Sequence, residues 1–83
     1  MPKRILQAKK VVKVLCKEFR FIKISQKGSH IKLRKITSFG RKIITIVPLH
    51  KELAYGTLKG VLELAKIEEE DFFNMFKKVK KRR

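Results

Sequence analysis

Acidic residues, cysteine and long apolar runs are the features that this sequence largely lacks. One cysteine among 83 residues excludes an intramolecular disulfide and leaves a cysteine-based metal site without further ligands. No stretch approaches the roughly 18 consecutive apolar residues of a membrane span, and the basic N-terminus does not lead into the apolar region of a signal peptide. We therefore expect a cytoplasmic protein that contacts no membrane and uses no metal or cofactor.

The shortage of acids leaves a large positive charge. Lys and Arg number 23 against 7 acids, a formal net charge of +16. Residues 1–50 contain 14 cations and a single acid, Glu18, whereas residues 51–83 contain 9 cations and 6 acids. A surface of this sign attracts polyanions over a Debye length or more. Nucleic acid is therefore the expected class of partner.

The chain is short, yet it has enough apolar material to fold. Its 83 residues can enclose one modest core. Hydrophobic residues make up 43% of the composition, which offsets a charged fraction of 36% that alone would suggest disorder. We predict one domain over residues 1–76, followed by a basic C-terminal tail over residues 77–83.

The first periodic segment has the spacing of an amphipathic helix. From Ile5 onward, apolar residues recur three and four positions apart, and lysines occupy the opposite side. The apolar positions are Ala8, Val11, Val12, Leu15, Cys16 and Phe19. Because Cys16 falls on this apolar side, we predict a buried small residue there, with a reactive thiol as the alternative.

A β-hairpin is predicted after this helix. Residues 19–26 alternate nearly regularly between apolar and polar positions, and "KGS" then supplies a turn. In residues 30–36, Ile31 and Leu33 point to one face of the strand. The opposite face carries His30, Lys32 and Arg34.

A third strand is predicted over residues 41–47, after a second turn at "TSFG". Its continuous apolar centre suits a middle or well-covered position in a sheet, and Pro48 ends it. The three strands should pair as antiparallel neighbours, since short turns connect them.

The remainder of the chain predicts two helices. Thr57 is a candidate N-cap before Leu58, and the following apolar residues share one helical face that Gly60 weakens. The second helix starts with the acids of residues 68–71, which the helix dipole favours in a first turn. Its Met and Phe residues at helical spacing are expected in the core or on a partner-facing patch.

The order of elements is therefore α-β-β-β-α with an added C-terminal helix, which predicts an α+β protein. A three-stranded antiparallel sheet would carry helices on one face and leave the other face to solvent, in a two-layer arrangement. Double-stranded-RNA-binding domains share this order, although the order alone does not determine a function.

Three motifs stand in order along the chain: "QKGSH" follows the first strand, "VPLH" ends the third, and "GTLKGVLELAKIEEEDF" covers the following helix and the segment after it. Together they resemble the HicA family of messenger-RNA interferase toxins. The motifs keep the order and spacing of the family, and the resemblance extends from the first helix to about Phe76. The chain departs from many members at Ile31, where they carry a second histidine, and at Gly60, where a better helix former is usual.

The resemblance implies a toxin of a two-component toxin-antitoxin system, which cleaves messenger RNA and is held inactive by an acidic HicB-type antitoxin. It also implies that His30 is the catalytic residue. The chemistry agrees, because an imidazole with an unperturbed pKa near ~6.5 exchanges protons at cytoplasmic pH. RNA cleavage without a metal needs a base for the 2′-hydroxyl proton and an acid for the 5′-oxygen, and His30 could serve as either.

Five residues around His30 are candidate substrate-binding groups. The lysines would meet a phosphate as point charges, and the arginine could bind it bidentately. The glycine and the serine would let the backbone pass close to a nucleotide and would offer amide and hydroxyl donors. Composition alone favours solvated charges and an ordinary turn; the resemblance leaves the cations as general phosphate binders. The five residues are Lys27, Gly28, Ser29, Lys32 and Arg34.

His50 is a candidate second acid-base group. It follows Pro48 at a strand end, where loops often present functional groups, although a polar residue that closes a loop before a helix is more common. His30 and His50 lie twenty residues apart without clustered acids, so they do not make a zinc site.

Two hypotheses from other classes stay open. The same basic sheet could bind RNA by shape and phosphate contacts without cutting it, as a double-stranded-RNA-binding module does. A small ribosome-associated or DNA-binding structural protein is the third hypothesis. Neither binding role requires an imidazole directly after a Gly-Ser turn. We expect the free protein to be a monomer.

Overall fold

Five strands and three helices form the part of the chain that the computed structural model describes, residues 6–81 with side chains to Lys77. The elements are β1 (Leu6–Gln7), α1 (Ala8–Glu18), β2 (Ile22–Lys27), β3 (His30–Ile36), β4 (Lys42–Pro48), β5 (Glu52–Leu53), α2 (Tyr55–Ala65) and α3 (Glu69–Lys81). The main sheet has the order β2-β3-β4 with antiparallel neighbours. The predicted α+β class, with an added C-terminal helix, is confirmed.

Helix α1 begins at Ala8, because the two residues before it form a strand. Leu6 pairs with Leu53 and Gln7 pairs with Glu52, so β1 and β5 make a separate two-stranded sheet that the sequence pattern did not predict. The buried side of α1 consists of Ala8, Val11, Val14 and Leu15. This small sheet joins the segment before α1 to the segment before α2.

The apolar run of residues 41–47 does not mark the middle of the sheet. Strand β3 is central and β4 lies at an edge, so of the two predicted alternatives the middle position is wrong, and β4 is instead covered by a helix on one face. One face of β4 packs under α2, where the buried Thr45 hydroxyl donates a 2.8 Å hydrogen bond to the Val61 carbonyl. The other face carries the partly exposed Ile44 and Ile46, so the run is apolar on both faces although helices cover only one.

Helix α2 starts three residues earlier than predicted. Ala54, not Thr57, occupies the N-cap position, and its carbonyl accepts a 3.0 Å hydrogen bond from the Leu58 amide. Tertiary contacts set the start of α2, because β5 ends at the buried Leu53 and the chain turns into the helix directly after it. Leu58, Val61, Leu62 and Ala65 form the buried face of α2, which is the predicted face.

Helix α3 packs against α1 and against Phe19, the residue that caps the C-terminal end of α1. Phe72 and Phe76 are buried, and the Phe72 ring centroid lies 6.4 Å from that of Phe19 and 5.7 Å from that of Phe76. The predicted boundary between domain and tail falls inside α3, which continues to Lys81. Residues 82 and 83 of the predicted tail lie outside the described residues, and the division of the chain at residue 76 stays a prediction.

Candidate active site on the open sheet face

His30 lies at the start of the central strand. It is the first residue of β3, and its neighbours in register are Lys27 on β2 and Pro48 on β4. Cross-strand partners in a sheet project to the same face, so Lys27 and His30 share a face. Both side chains are exposed. The hairpin therefore presents the imidazole with an ammonium group beside it.

The turn before His30 depends on a glycine. Gly28 has a φ of 59°, whereas Ser29 is not among the residues with positive φ. A positive φ at only the first of two loop residues is the pattern of a type II′ hairpin turn, in which glycine is the favoured residue. A Cβ atom at Gly28 would meet nothing within 4 Å, so the backbone conformation and not crowding requires glycine here.

The side chain of Gln26 stabilises this turn through hydrogen bonds, a role that the sequence pattern did not predict. Its Nε2 atom donates a 3.1 Å hydrogen bond to the Gly28 carbonyl, and its Oε1 atom accepts a 2.9 Å hydrogen bond from Lys23 Nζ. The amide side chain thus fixes the turn from the β2 side. A Gln two residues before a turn glycine is a weak sequence signal, because Gln is common on exposed strands.

The open face of the sheet is defined by the side chains that point away from the helices. Alternation along β3 buries Ile31 and Leu33 and turns the intervening residues outward. The register adds flanking residues from β2 and β4. The open face consists of Ile22, Ser25 and Lys27 on β2, His30, Lys32 and Arg34 on β3, and Ile44, Ile46 and Pro48 on β4.

A line of basic side chains runs along the centre of this face. His30, Lys32 and Arg34 are two residues apart on one strand, so their Cα atoms are spaced by roughly 7 Å. Isoleucines of the edge strands lie on both sides of Arg34, with Ile22 on β2 and Ile44 on β4. The described residues that make up the open face include no carboxylate, so its electrostatic potential is positive.

Arg34 has an unused donor. Its side chain is half-buried, and its Nε atom is buried with no hydrogen-bond partner among the described residues. A buried polar atom without a partner costs free energy of about 1–3 kcal/mol. Lys32, by contrast, is exposed and already solvated.

His50 does not belong to the open face. It is exposed in the loop between β4 and β5, where it lines a cavity together with Gln7, Lys9, Leu49 and Lys51. The structure nevertheless ties its loop to the turn before His30, because the Leu49 amide donates a hydrogen bond to the Ser29 carbonyl. The sequence pattern did not predict the contributions of Lys9 and Lys51, which lie 42 residues apart in the chain.

Two further properties concern the described part of the chain as a whole. Within it, no group of three or more His, Cys, Asp or Glu side chains has the arrangement of a metal site. None of its helices is both long and apolar enough to span a membrane. The groups that the open face offers are one imidazole for proton transfer and several cations for charge stabilisation.

The fold and the site define a class: a small, basic α+β protein that presents one histidine among cations on an open antiparallel sheet. Its family follows from a family model described as the HicA toxin of bacterial toxin-antitoxin, which matches residues 8–67. The chain belongs to the HicA toxin family, as its motifs predicted, and is the toxin component of a toxin-antitoxin system. The match spans α1 to the end of α2 and does not include α3. No curated protein and no solved structure matches the chain.

Proposed function

We propose that this toxin is an endoribonuclease that cleaves messenger RNA without a metal, with His30 as general acid or base. The observation that carries the proposal is the exposed imidazole of His30 at one end of the line of cations on the open face. An RNA strand along this line would bring a phosphate next to His30, while Lys32 and Arg34 would bind the phosphates that flank it.

The reaction is an internal transesterification. A base takes the proton from the 2′-hydroxyl, the 2′-oxygen attacks the adjacent phosphorus, and the bond from phosphorus to the 5′-oxygen breaks. The leaving 5′-oxygen takes up a proton, so the products are a 2′,3′-cyclic phosphate and a 5′-hydroxyl. His30 transfers a proton in one of these steps, and Lys27 lies beside it, where an ammonium group would stabilise the crowded phosphate.

The antitoxin in this proposal is an acidic, HicB-type protein that covers the open face. The net charge of +16 favours fast association with such a partner. Ile22, Ile44 and Ile46 are 53%, 39% and 40% exposed, and they supply an apolar contact area beside the cations. Occupation of this face would exclude RNA from His30.

The test is incubation of the purified toxin with single-stranded RNA in the presence of EDTA. Cleavage with cyclic-phosphate ends is expected, and His30→Ala should lower the rate by at least ~10² while leaving RNA affinity unchanged. Ser38→Ala, in the exposed turn between β3 and β4, is the control variant and should cut RNA like the wild type. Full cleavage by a folded His30→Ala variant would refute the assignment.

A non-catalytic RNA-binding module is the second candidate. The observation that favours it is that Ile31, the position of a second histidine in many family members, is buried in the core, so this hairpin presents a single imidazole. Such a module would shift the mobility of RNA in the same experiment and leave the strand intact.

A further inference from the structure

A cavity of about 240 Å³ lies off the open face of the sheet. One wall comes from the loop after β4, and the other comes from β1 and the first turn of α1. The residues that line it are Gln7, Lys9, Leu49, His50 and Lys51.

The cavity is joined to the proposed catalytic site through the backbone. His30 pairs with Pro48, and the next residue, Leu49, donates its amide hydrogen bond to the Ser29 carbonyl. From the geometry of an antiparallel pair and one further residue along the chain, the Cα atoms of His30 and Leu49 lie roughly 7 Å apart. The cavity thus begins within the reach of one nucleotide from the imidazole.

The lining has the chemistry that a nucleotide requires. Lys9 and Lys51 are exposed and approach the cavity from opposite walls, so a phosphate between them would contact two ammonium groups. The imidazole ring of His50 offers a stacking surface for a base, and the half-buried Leu49 offers an apolar contact. Among the described residues, no carboxylate lines the cavity; Glu52, the nearest acid in sequence, follows Lys51 in β5.

We propose that this cavity binds the nucleotide adjacent to the scissile phosphate of a single-stranded RNA. His50 is then a substrate-binding residue that stacks on the base, and it is not the partner of His30 in proton transfer. Lys9 and Lys51 hold the flanking phosphate, so the RNA strand leaves the sheet at the end of β4 and passes toward α1. This inference rests on the proposed ribonuclease function.

The first experiment measures binding separately from cleavage. The probe is a fluorescent, single-stranded 2′-O-methyl oligoribonucleotide, which lacks the 2′-hydroxyl nucleophile and cannot be cut. Lys9→Gln and Lys51→Gln should each weaken its binding about threefold to tenfold. Because both lysines hold the same phosphate, the double variant should reduce the slope of log affinity against log salt by about 0.7. Lys59→Gln is the matched control, because Lys59 is an exposed lysine on α2 that lines a different cavity.

The second experiment separates stacking from proton transfer. His50→Asn should raise KM for a cleavable RNA while kcat stays within about twofold, whereas His30→Ala should lower kcat by at least ~10². The imidazole Cε1 proton of His50 should also shift in the NMR spectrum when the 2′-O-methyl probe is added to the wild type. Replacement by Phe should restore binding, because a stacking ring suffices for this role.

The results of these experiments distinguish the nucleotide-binding cavity from the proposed ribonuclease function. Equal loss of affinity in Lys51→Gln and Lys59→Gln would mean that binding follows net charge, and the cavity site would be refuted. A fall in kcat for His50→Asn as large as that for His30→Ala would make His50 catalytic and would also refute it. A toxin that binds the probe through Lys9 and Lys51 but never cuts RNA would retain the cavity site and overturn the ribonuclease function.

Discussion

Arg34 lies opposite Ile44 on the open face of the sheet, and its Nε atom is buried without a hydrogen-bond partner among the described residues. Ile22 occupies the corresponding position on the other side of Arg34. Apolar neighbours exclude water from the stem of this side chain and lower the local dielectric constant, so a bound anion would interact with the guanidinium more strongly than at an exposed lysine.

This arrangement predicts that a lysine cannot replace Arg34. Arg34→Lys keeps the charge but removes the planar set of donors, and it should lower kcat/KM for RNA about fivefold to tenfold. Arg34→Gln should lower it further because the charge is removed as well. Steady-state kinetics measures both, with Lys59→Gln as a charge-removing control outside the open face. Wild-type kinetics for Arg34→Lys would show that Arg34 acts only as a point charge.

The packing of α3 on α1 predicts a large effect at Phe72. Its ring is fully buried between Phe19 and Phe76, so Phe72→Ala should lower the free energy of unfolding by about 3–5 kcal/mol in urea denaturation. Phe39→Ala removes a ring that is 97% exposed, and it should change stability by less than about 0.5 kcal/mol. A loss of stability below about 1 kcal/mol at Phe72 would mean that α3 is not part of the cooperative core.

Burial raises the pKa of the Cys16 thiol. The folded state therefore holds this proton more tightly than the unfolded chain does, and the associated stability is present below the ordinary thiol pKa near ~8.5 and disappears as the pH rises above it. Denaturation at about pH 7 and about pH 9.5, on either side of that value, should show a larger decrease for the wild type than for Cys16→Ala. An identical decrease in both proteins would contradict the prediction.

Reaction of Cys16 with a thiol reagent at neutral pH should be slow in the native protein and fast in urea.

The basic C-terminal segment predicts a change in salt dependence. Replacement of Lys77, Lys78, Lys80 and Lys81 by Gln keeps helix propensity and removes four charges. If this segment contacts RNA, the slope of log affinity against log salt should flatten by about 0.7 for each phosphate that the variant no longer neutralises. An unchanged slope would assign these lysines to solubility or to the antitoxin. Binding of the uncleavable probe at several salt concentrations measures the effect.

Much of the fold was readable from local patterns. Alternation along residues 30–36 predicted which residues of β3 are buried, because period two allows only one face to contact the helices. The helical spacing of residues 8–19 predicted three of the buried residues of α1, Ala8, Val11 and Leu15. It missed the buried Val14, and the predicted Val12, Cys16 and Phe19 are only half-buried. The family motifs, which the matching family model confirms, added the functional class that no composition or periodicity contains.

Other features required contacts between distant segments. The pairing of Leu6 with Leu53 shortens α1, and the end of β5 moves the N-cap of α2 from Thr57 to Ala54. A two-residue strand has no periodicity, so only its partner reveals it. The apolar run of residues 41–47 left open whether β4 is a middle strand or a covered one, because the exposed Ile44 and Ile46 give the same sequence pattern as buried residues.

The sequence by itself determined the charge, the α+β class, the hairpin that exposes His30 and the family, because these depend on composition, short-range periodicity and contiguous motifs. Only the tertiary structure decided which residues stand beside that histidine. Cross-strand register places Lys27 next to it, and the hydrogen bond from Leu49 to Ser29 brings the loop of His50 and Lys51 to the same end of the sheet. Such neighbours are set by long-range pairing, whose register depends on burial of the whole core and not on any local stretch of the chain.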